Sequence, residues 1–509
     1  MLIGDLLHLP ATRLPDKEAF VWRDQRMTFA QADRLANRIA NALLARGLGK
    51  RGNIAILSTN TPHYAVMHFG AARAGAVLTH FSYRMTPQEM ATLARNIGVT
   101  ALFVDPMLME LARNVLSLGP EIRTVVSLGG ATEGAVAFDE FLGEATAIPP
   151  DLQLREDAPL AITFTGGATG LPKAVLVTHK ARLASAVGAM VEFGVDERDV
   201  VACSAPLFHT AGLFVWFQMS VGLGCTSVLV PTWSPTTIQE VCREEKFTAL
   251  FAVPTQLNGL LLFKDLDIAA FATLRKVNFA GAQMPPQQFQ NLLQVFPEID
   301  FTEHYGQSEF CPITVRRHWH HGDKTTSVGR AAFNCNLAIF DGDSNALPTG
   351  ETGEVAVRGD GVMTEYVGDP EETVRYRRFD GWLYTGDIGW LDEDGFLTLV
   401  DRSKDIIIVG GENISSVEIE SALYAHGAVA ECAVFAMPDA HWGEVPGAHV
   451  VLKAGAAATE RELQAFCGTQ MPNHKRPRAI KFVDALPKTP VGKIQKAVIR
   501  REYWGTLKR

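Results

Sequence analysis

The first hundred residues alternate between short apolar runs and capped helical stretches. That alternation restricts the chain to an architecture with helices on the faces of a sheet. Thr28 and Gln31 form a capping box ahead of Leu35, Ile39 and Leu43, and Gly47 closes that helix. NIAIL at 53–57 reads as a strand, Thr61-Pro62 opens a second helix, and AVLTHF is another strand. Thr86-Pro87-Gln88-Glu89 caps a third helix, and TALFVD follows as a strand. Further along, LPTGETGEVAVRGDG (347–361) has the turn density of short β-hairpins. Beyond Asp405 the pattern restarts, with a capped helix (SSVEIESALY), strands ECAVFAM and AHVVLK, a helix TERELQAF and a strand IKFVD. A chain of 509 residues is too long for one core. The expectation is an α/β protein with a large domain over 1–401 and a small α+β domain over 402–509, the boundary falling at Asp401–Lys404.

Composition narrows the function classes. A net charge of -9 gives no global attraction to nucleic acid or anionic lipid. The segment from Lys475 to Arg509 is locally basic, which suits either a solvated face or a surface that meets a small polyanion. Seven cysteines without CxxC pairs suit a reducing compartment. The stretch TAGLFVWFQMSVGLGCTSVLVP (210–231) is interrupted by glycines, Gln218 and Ser220 and ends on a β-branched run. It reads as a buried helix followed by a buried strand rather than a membrane span. With no secretory signal at the N-terminus, the chain is expected to be cytoplasmic, with no integral membrane segment and no nucleic-acid partner. A homodimer is compatible with these features.

Residues 164–175, FTGGATGLPKAV, have the glycine content of a loop that wraps phosphate with backbone N–H groups. The loop is not a Walker A loop, because Leu171 and Pro172 separate Gly170 from Lys173, Ala174 stands where Ser or Thr is needed, and AVLVT continues as a strand. Nor does a G-x-G-x-x-G open a helix here.

The arrangement instead resembles the phosphate loop of the adenylate-forming superfamily, which includes acyl-CoA and aryl-CoA synthetases, peptide-synthetase adenylation domains and beetle luciferases. Six further blocks stand in family order: PLFHTAG (206–212), AGAQMP (280–285), YGQSE (305–309), YTGD (384–387), DRSKDIIIVGGENI (401–414) and LPKTPVGKIQK (486–496). The chain is therefore similar to AMP-forming fatty or aryl acid–CoA ligases. The resemblance implies sheets flanked by helices and a β-barrel-like subdomain in the large domain, and a mobile small one. It also implies ATP, Mg²⁺ and coenzyme A.

Residue by residue, the resemblance places Thr165, Gly166, Gly167, Ala168, Thr169, Gly170 and Lys173 around the ATP phosphates. It places Gly281, Ala282, Gln283, Tyr305, Gly306 and Ser308 around the nucleotide, with adenine between Tyr305 and the Gly281 backbone. Asp387 would hold the ribose hydroxyls and Arg402 a ribose or phosphate oxygen. Glu309 and Thr165 are the implied oxygen ligands of Mg²⁺. Lys493 is the implied catalytic lysine, drawing carboxylate and α-phosphate together. Lys404 would be the hinge about which the small domain turns between two half-reactions, bringing Gly410 and Gly411 to line a pantetheine tunnel. His209 would border the acid pocket; a structural histidine is the other reading.

The residues around His209 are apolar, and no carboxylate lies between Pro206 and Pro231 to pair with an amino acid's ammonium. A fatty or aromatic carboxylic acid is the expected substrate. The chain ends sixteen residues after Lys493, without a carrier domain, which favours free CoA as acceptor over a separate carrier protein. HWHH (318–321) lacks the spacing of a zinc site. Relative to the family pattern, Gly166, Ala168 and Ala174 replace Ser or Thr, Thr and Gly, so two loop hydroxyls are missing. A non-catalytic binding protein is therefore a third reading.

Overall fold

The computed structural model describes residues 1–165, 171–322, 324–489 and 492–505. Among them, two large sheets dominate the N-terminal part. The first is eight-stranded, with a parallel centre formed by Asn53–Leu57, Val77–His80, Ala101–Val104 and Thr124–Ser127. Its strands are short apolar runs because helices cover both faces. The expected caps form: Thr28 with Gln31, and Thr86 with Glu89, are reciprocal capping boxes, and Thr61 caps the helix that Pro62 begins. Gly75 and Gly98 end their helices in the left-handed region. At one side the sheet is extended by the antiparallel pair Pro159–Thr165 and Lys173–Thr178. These are the two strands that flank the phosphate loop, whose residues Gly166 to Gly170 lie outside the described residues.

The second sheet is nine-stranded, with Val200–Cys203, Thr226–Leu229, Ala249–Ala252, Lys276–Ala280 and Asp300–Gln307 in parallel and Phe310–Arg316 returning antiparallel. One buried amide ties the two sheets together. Asn60, at the end of the 53–57 strand, donates to the carbonyls of Cys203 (3.0 Å), Ala205 (2.9 Å) and Val230 (3.2 Å), and accepts from the Leu207 amide (2.9 Å). This fixes the turn that leads into His209.

The 210–231 stretch is a π-helix (Ala211–Phe217) running into an α-helix (Gln218–Leu223) and then the strand Thr226–Leu229, all largely buried. No helix among the described residues is long and apolar enough to cross a membrane. The β-barrel-like subdomain is a four-stranded antiparallel sheet, Asn336–Phe340, Gly353–Arg358, Leu383–Leu391 and Leu397–Arg402.

The C-terminal part has its own five-stranded sheet and its own apolar core, built on Ile407, Ile419, Leu423, Val434, Val450 and Leu463. The helices Ser416–Tyr424 and Glu460–Cys467 fall where the restarted pattern puts them, capped by Ser415 and Thr459. Much of the basic C-terminal strip is neutralised inside this unit. Lys475 pairs with Glu418, Lys488 with Glu431, Lys496 with Glu420 and Arg500 with Asp405. These four pairs give part of the strip a role in neither expected reading, that of holding the small domain together.

Candidate active site

A cavity of about 280 Å³ opens where the C-terminal ends of the second sheet's strands meet the small domain. Its walls include Tyr83, Ala205, His209, Phe251, Gly281 and Lys493, and its surface is mostly apolar. Lys493 reaches it from a turn closed by hydrogen bonds between Thr489 and the pair Gly492 and Lys493. In that turn the Thr489 amide donates to the Lys493 carbonyl (2.6 Å) and the Lys493 amide to the Thr489 hydroxyl (3.1 Å). The turn is seated on the large domain by Thr255, whose hydroxyl donates to the Gly492 carbonyl at 3.1 Å.

The lysine lies against Gly281. A Cβ at that position would stand 3.1 Å from Lys493 Cε, and φ is +96°, so any side chain here is strained and crowds the lysine. Burial lowers the Lys493 ammonium to a pKa of about 8, and the Arg402 guanidinium pushes the same way. His209, on the same cavity wall, is lowered to about 3 by burial and then by Lys493, so it is neutral at pH 7.

Three of the expected nucleotide residues are joined directly. The Tyr305 hydroxyl donates to Asp387 Oδ2 at 2.5 Å, and Arg402 Nε lies 3.2 Å from Asp387 Oδ1. The Asp387 amide is held by Thr385 Oγ1 (3.1 Å) and the strands carrying Asp387 and Arg402 pair at those two residues. Asp387 is therefore a buried anion with two partners. Replacing it with alanine removes the carboxylate that Arg402 and Tyr305 share, and the expected result is a rise of roughly ten- to a hundredfold in the Michaelis constant for ATP. Initial-rate kinetics on Asp387→Ala measure it.

Glu309 is buried, and its Oε1 accepts from the Tyr366 hydroxyl at 2.6 Å. A buried carboxylate, together with the Thr165 hydroxyl, is an oxygen donor set of the kind Mg²⁺ takes alongside phosphate oxygens. The residues present therefore fit the ion. Lys173, across the strand pair from Thr165, is ion-paired to Glu372 and lies over the rings of Tyr366 (4.9 Å) and Tyr376 (4.8 Å). ATP phosphates would compete with Glu372 for this lysine.

Gly306 permits a close approach, since a Cβ there would meet Cys311 Sγ at 2.6 Å. Ser308 is buried, and its carbonyl accepts from the buried Arg182 at 2.7 Å. Ala282 and Gln283 continue the turn after Gly281 and are more open. Lys404 offers its carbonyl to Arg500 Nη1 at 2.9 Å. Gly410 and Gly411 sit in the left-handed region, φ +58° and +93°, in the exposed hairpin turn between Ile407–Val409 and Glu412–Ile414. Neither lines the cavity. Tyr366, Glu372 and Tyr376 escaped the sequence reading because YVGDPEETVRY (366–376) carries no chemistry-bearing pattern of its own. Only the folded sheet edge brings it to Lys173.

Two family models cover the chain in the order this geometry requires: an AMP-binding enzyme model over residues 8–367 and an AMP-binding enzyme C-terminal domain model over 418–493. The chain belongs to the AMP-binding enzyme family. Among its relatives in that family, it is 31% identical to a fatty acid–[acyl-carrier-protein] ligase, ScoC, from Streptomyces coeruleorubidus, over 96% of this chain and 94% of the relative. It is 33% identical to a feruloyl-CoA synthase from an Amycolatopsis species, over 94% of each chain. Among solved structures, the crystal structure of the anthranilate CoA ligase AuaEII in complex with anthranoyl-AMP is similar at a TM-score of 0.91 and 27% identity. That match covers 99% of this chain and 97% of that one. As an AMP-binding enzyme of this type, the protein is an adenylate-forming acid ligase with the large-plus-small α/β architecture of those enzymes.

Proposed function

We propose that the protein is an AMP-forming carboxylic acid–CoA ligase acting on a fatty or aromatic acid. In this reading ATP and the acid give acyl-AMP and pyrophosphate, and CoA then gives acyl-CoA and AMP. The observation that carries it is Lys493, delivered by the small domain into an apolar cavity beside neutral His209. The Tyr305–Asp387–Arg402 group is joined to that site through Arg402, whose charge acts on Lys493. The division at 401/402 and the residue roles below belong to the same proposal.

Lys493 lowers the barrier to the first step by neutralising the carboxylate and the α-phosphate as they approach, and by offsetting charge that grows on the phosphoryl oxygens. Tyr305 and the Gly281 backbone bracket the adenine, and Asp387 accepts from the ribose hydroxyls. Glu309 and Thr165 would hold Mg²⁺, which supplies charge neutralisation on the phosphates. The apolar walls keep water from the mixed anhydride. The seating of Gly492 on Thr255 suits adenylation; turning the small domain about Lys404 would withdraw Lys493 and bring Gly410 and Gly411 in for the thiol.

The Lys493 pKa gives a pH test. The charged form is needed, and it is lost as pH rises through about 8. The kcat/KM for adenylation is expected to decline above that pH, while kcat holds to higher pH because bound phosphates stabilise the ammonium. The acceptor is tested by CoA-dependent AMP release. Release that needs a carrier protein instead of CoA would favour the acyl-AMP ligase reading, which the kinship to the acyl-carrier-protein ligase keeps in view.

A further inference from the structure

Immediately behind the cavity lies a buried polar pair that the proposed chemistry does not use. His304, on the strand Asp300–Gln307, is 2% exposed, and so is Asn278 on the neighbouring strand. Their side chains meet at 2.7 Å between His304 Nδ1 and Asn278 Oδ1. An amide oxygen only accepts, so Nδ1 carries the proton and Nε2 is left as a bare acceptor. Among the described residues, neither the buried Nε2 nor the buried Asn278 Nδ2 has a hydrogen-bond partner. Buried polar atoms of this kind are costly unless a ligand or solvent group meets them.

The place of the ring says what could meet them. His304 is sandwiched between Phe193 (ring centroids 5.1 Å apart) and Phe251 (5.8 Å). Phe251 is itself a wall of the cavity, and His304 pairs in register with Ala280, next to Gly281 on the same wall. Burial lowers the imidazole to about 3, with Lys493 adding to the effect, so the ring stays neutral and Nε2 keeps its lone pair across the working pH range.

We propose that His304 Nε2 is a specificity-determining acceptor of the acid pocket, positioned by Asn278, and that the preferred acid carries a hydroxyl or amino hydrogen-bond donor on the part that packs against Phe251. This rests on the acid-ligase reading above. A buried acceptor left bare by an unsubstituted acid favours the donor-bearing acid by about tenfold in kcat/KM.

The test is acid-dependent ATP–pyrophosphate exchange with matched pairs: cinnamate against 3- and 4-hydroxycinnamate, benzoate against 2-hydroxy- and 2-aminobenzoate, and octanoate against 3-hydroxyoctanoate. The expected result is a preference of about tenfold for the donor-bearing member of at least one pair, falling to a ratio near one in His304→Phe, which preserves the ring stack. Asn278→Leu, which keeps the imidazole but frees its tautomer, should reduce the ratio part-way. Equal rates across every pair in the unmodified enzyme, or a preference that survives His304→Phe, would overturn the inference and leave the orphaned atoms to an internal water. Absence of exchange with every acid would instead count against the ligase reading itself.

Discussion

Lys493→Ala is expected to slow adenylation by about a hundred- to a thousandfold, the cost typical of removing one preorganised charge from the centre of a phosphoryl-transfer site. Formation of thioester from supplied acyl-AMP and CoA should stay within about threefold of the unmodified enzyme. The asymmetry follows from geometry. In the structure the lysine occupies the cavity wall against Gly281, where the proposed mechanism brings carboxylate and α-phosphate together. It is held there by a turn of the small domain that contacts the large one through Thr255. In the proposed second step the entering thiol has no need of that ammonium, and turning the small domain would remove it. Single-turnover measurement of the two half-reactions separates the cases. Equal loss in both would mean that Lys493 supports the fold or CoA binding rather than adenylation.

The second large effect is on acid stability. Burial lowers His68, His209 and His304 to about 3, His179 and His321 to about 4, and His80 well below its ordinary value. Each is neutral in the folded protein and regains a value near 6.5 on unfolding. The unfolded chain therefore binds more protons between pH 6.5 and these folded values. The stabilisation is whole above pH 6.5 and is lost as pH falls from 6.5 towards 4, by about 1.4 kcal/mol per pH unit for each group. Several such groups together should unfold the protein before most carboxylates are protonated. The urea midpoint is expected to fall steeply between pH 6.5 and 5 with an unchanged slope m. A midpoint flat over that interval would show that these rings are protonated in the folded state.

What the sequence carried and what it did not divide along physical lines. Local signals held: the capping boxes at Thr28 and Thr86, the restart after Asp405 and the strand–loop–strand frame of the phosphate loop are all set by residues close together in the chain. The motif order led to the family, whose two models match residues 8–367 and 418–493. Long-range polar contacts were invisible. Asn60 is an ordinary residue in STNTP until it binds Cys203, Ala205 and Val230 across two sheets. Glu372 means nothing until the fold sets it on Lys173, and His304 sits beside Tyr305 in the sequence without any sign that its partner is Asn278. The π-turn at Ala211–Phe217 was likewise hidden in a run that periodicity reads only as buried helix.

The proposed function requires this chain to join a carboxylic acid to CoA through an acyl-adenylate. AMP release from ATP, measured with the purified enzyme over fatty acids of C2 to C18 and benzoate and cinnamate analogues, each with and without CoA, tests it most directly. The expected result is stoichiometric AMP and acyl-CoA with at least one acid and no steady release when either the acid or CoA is omitted. ATP cleaved to ADP, or no CoA-dependent AMP with any acid, would contradict it.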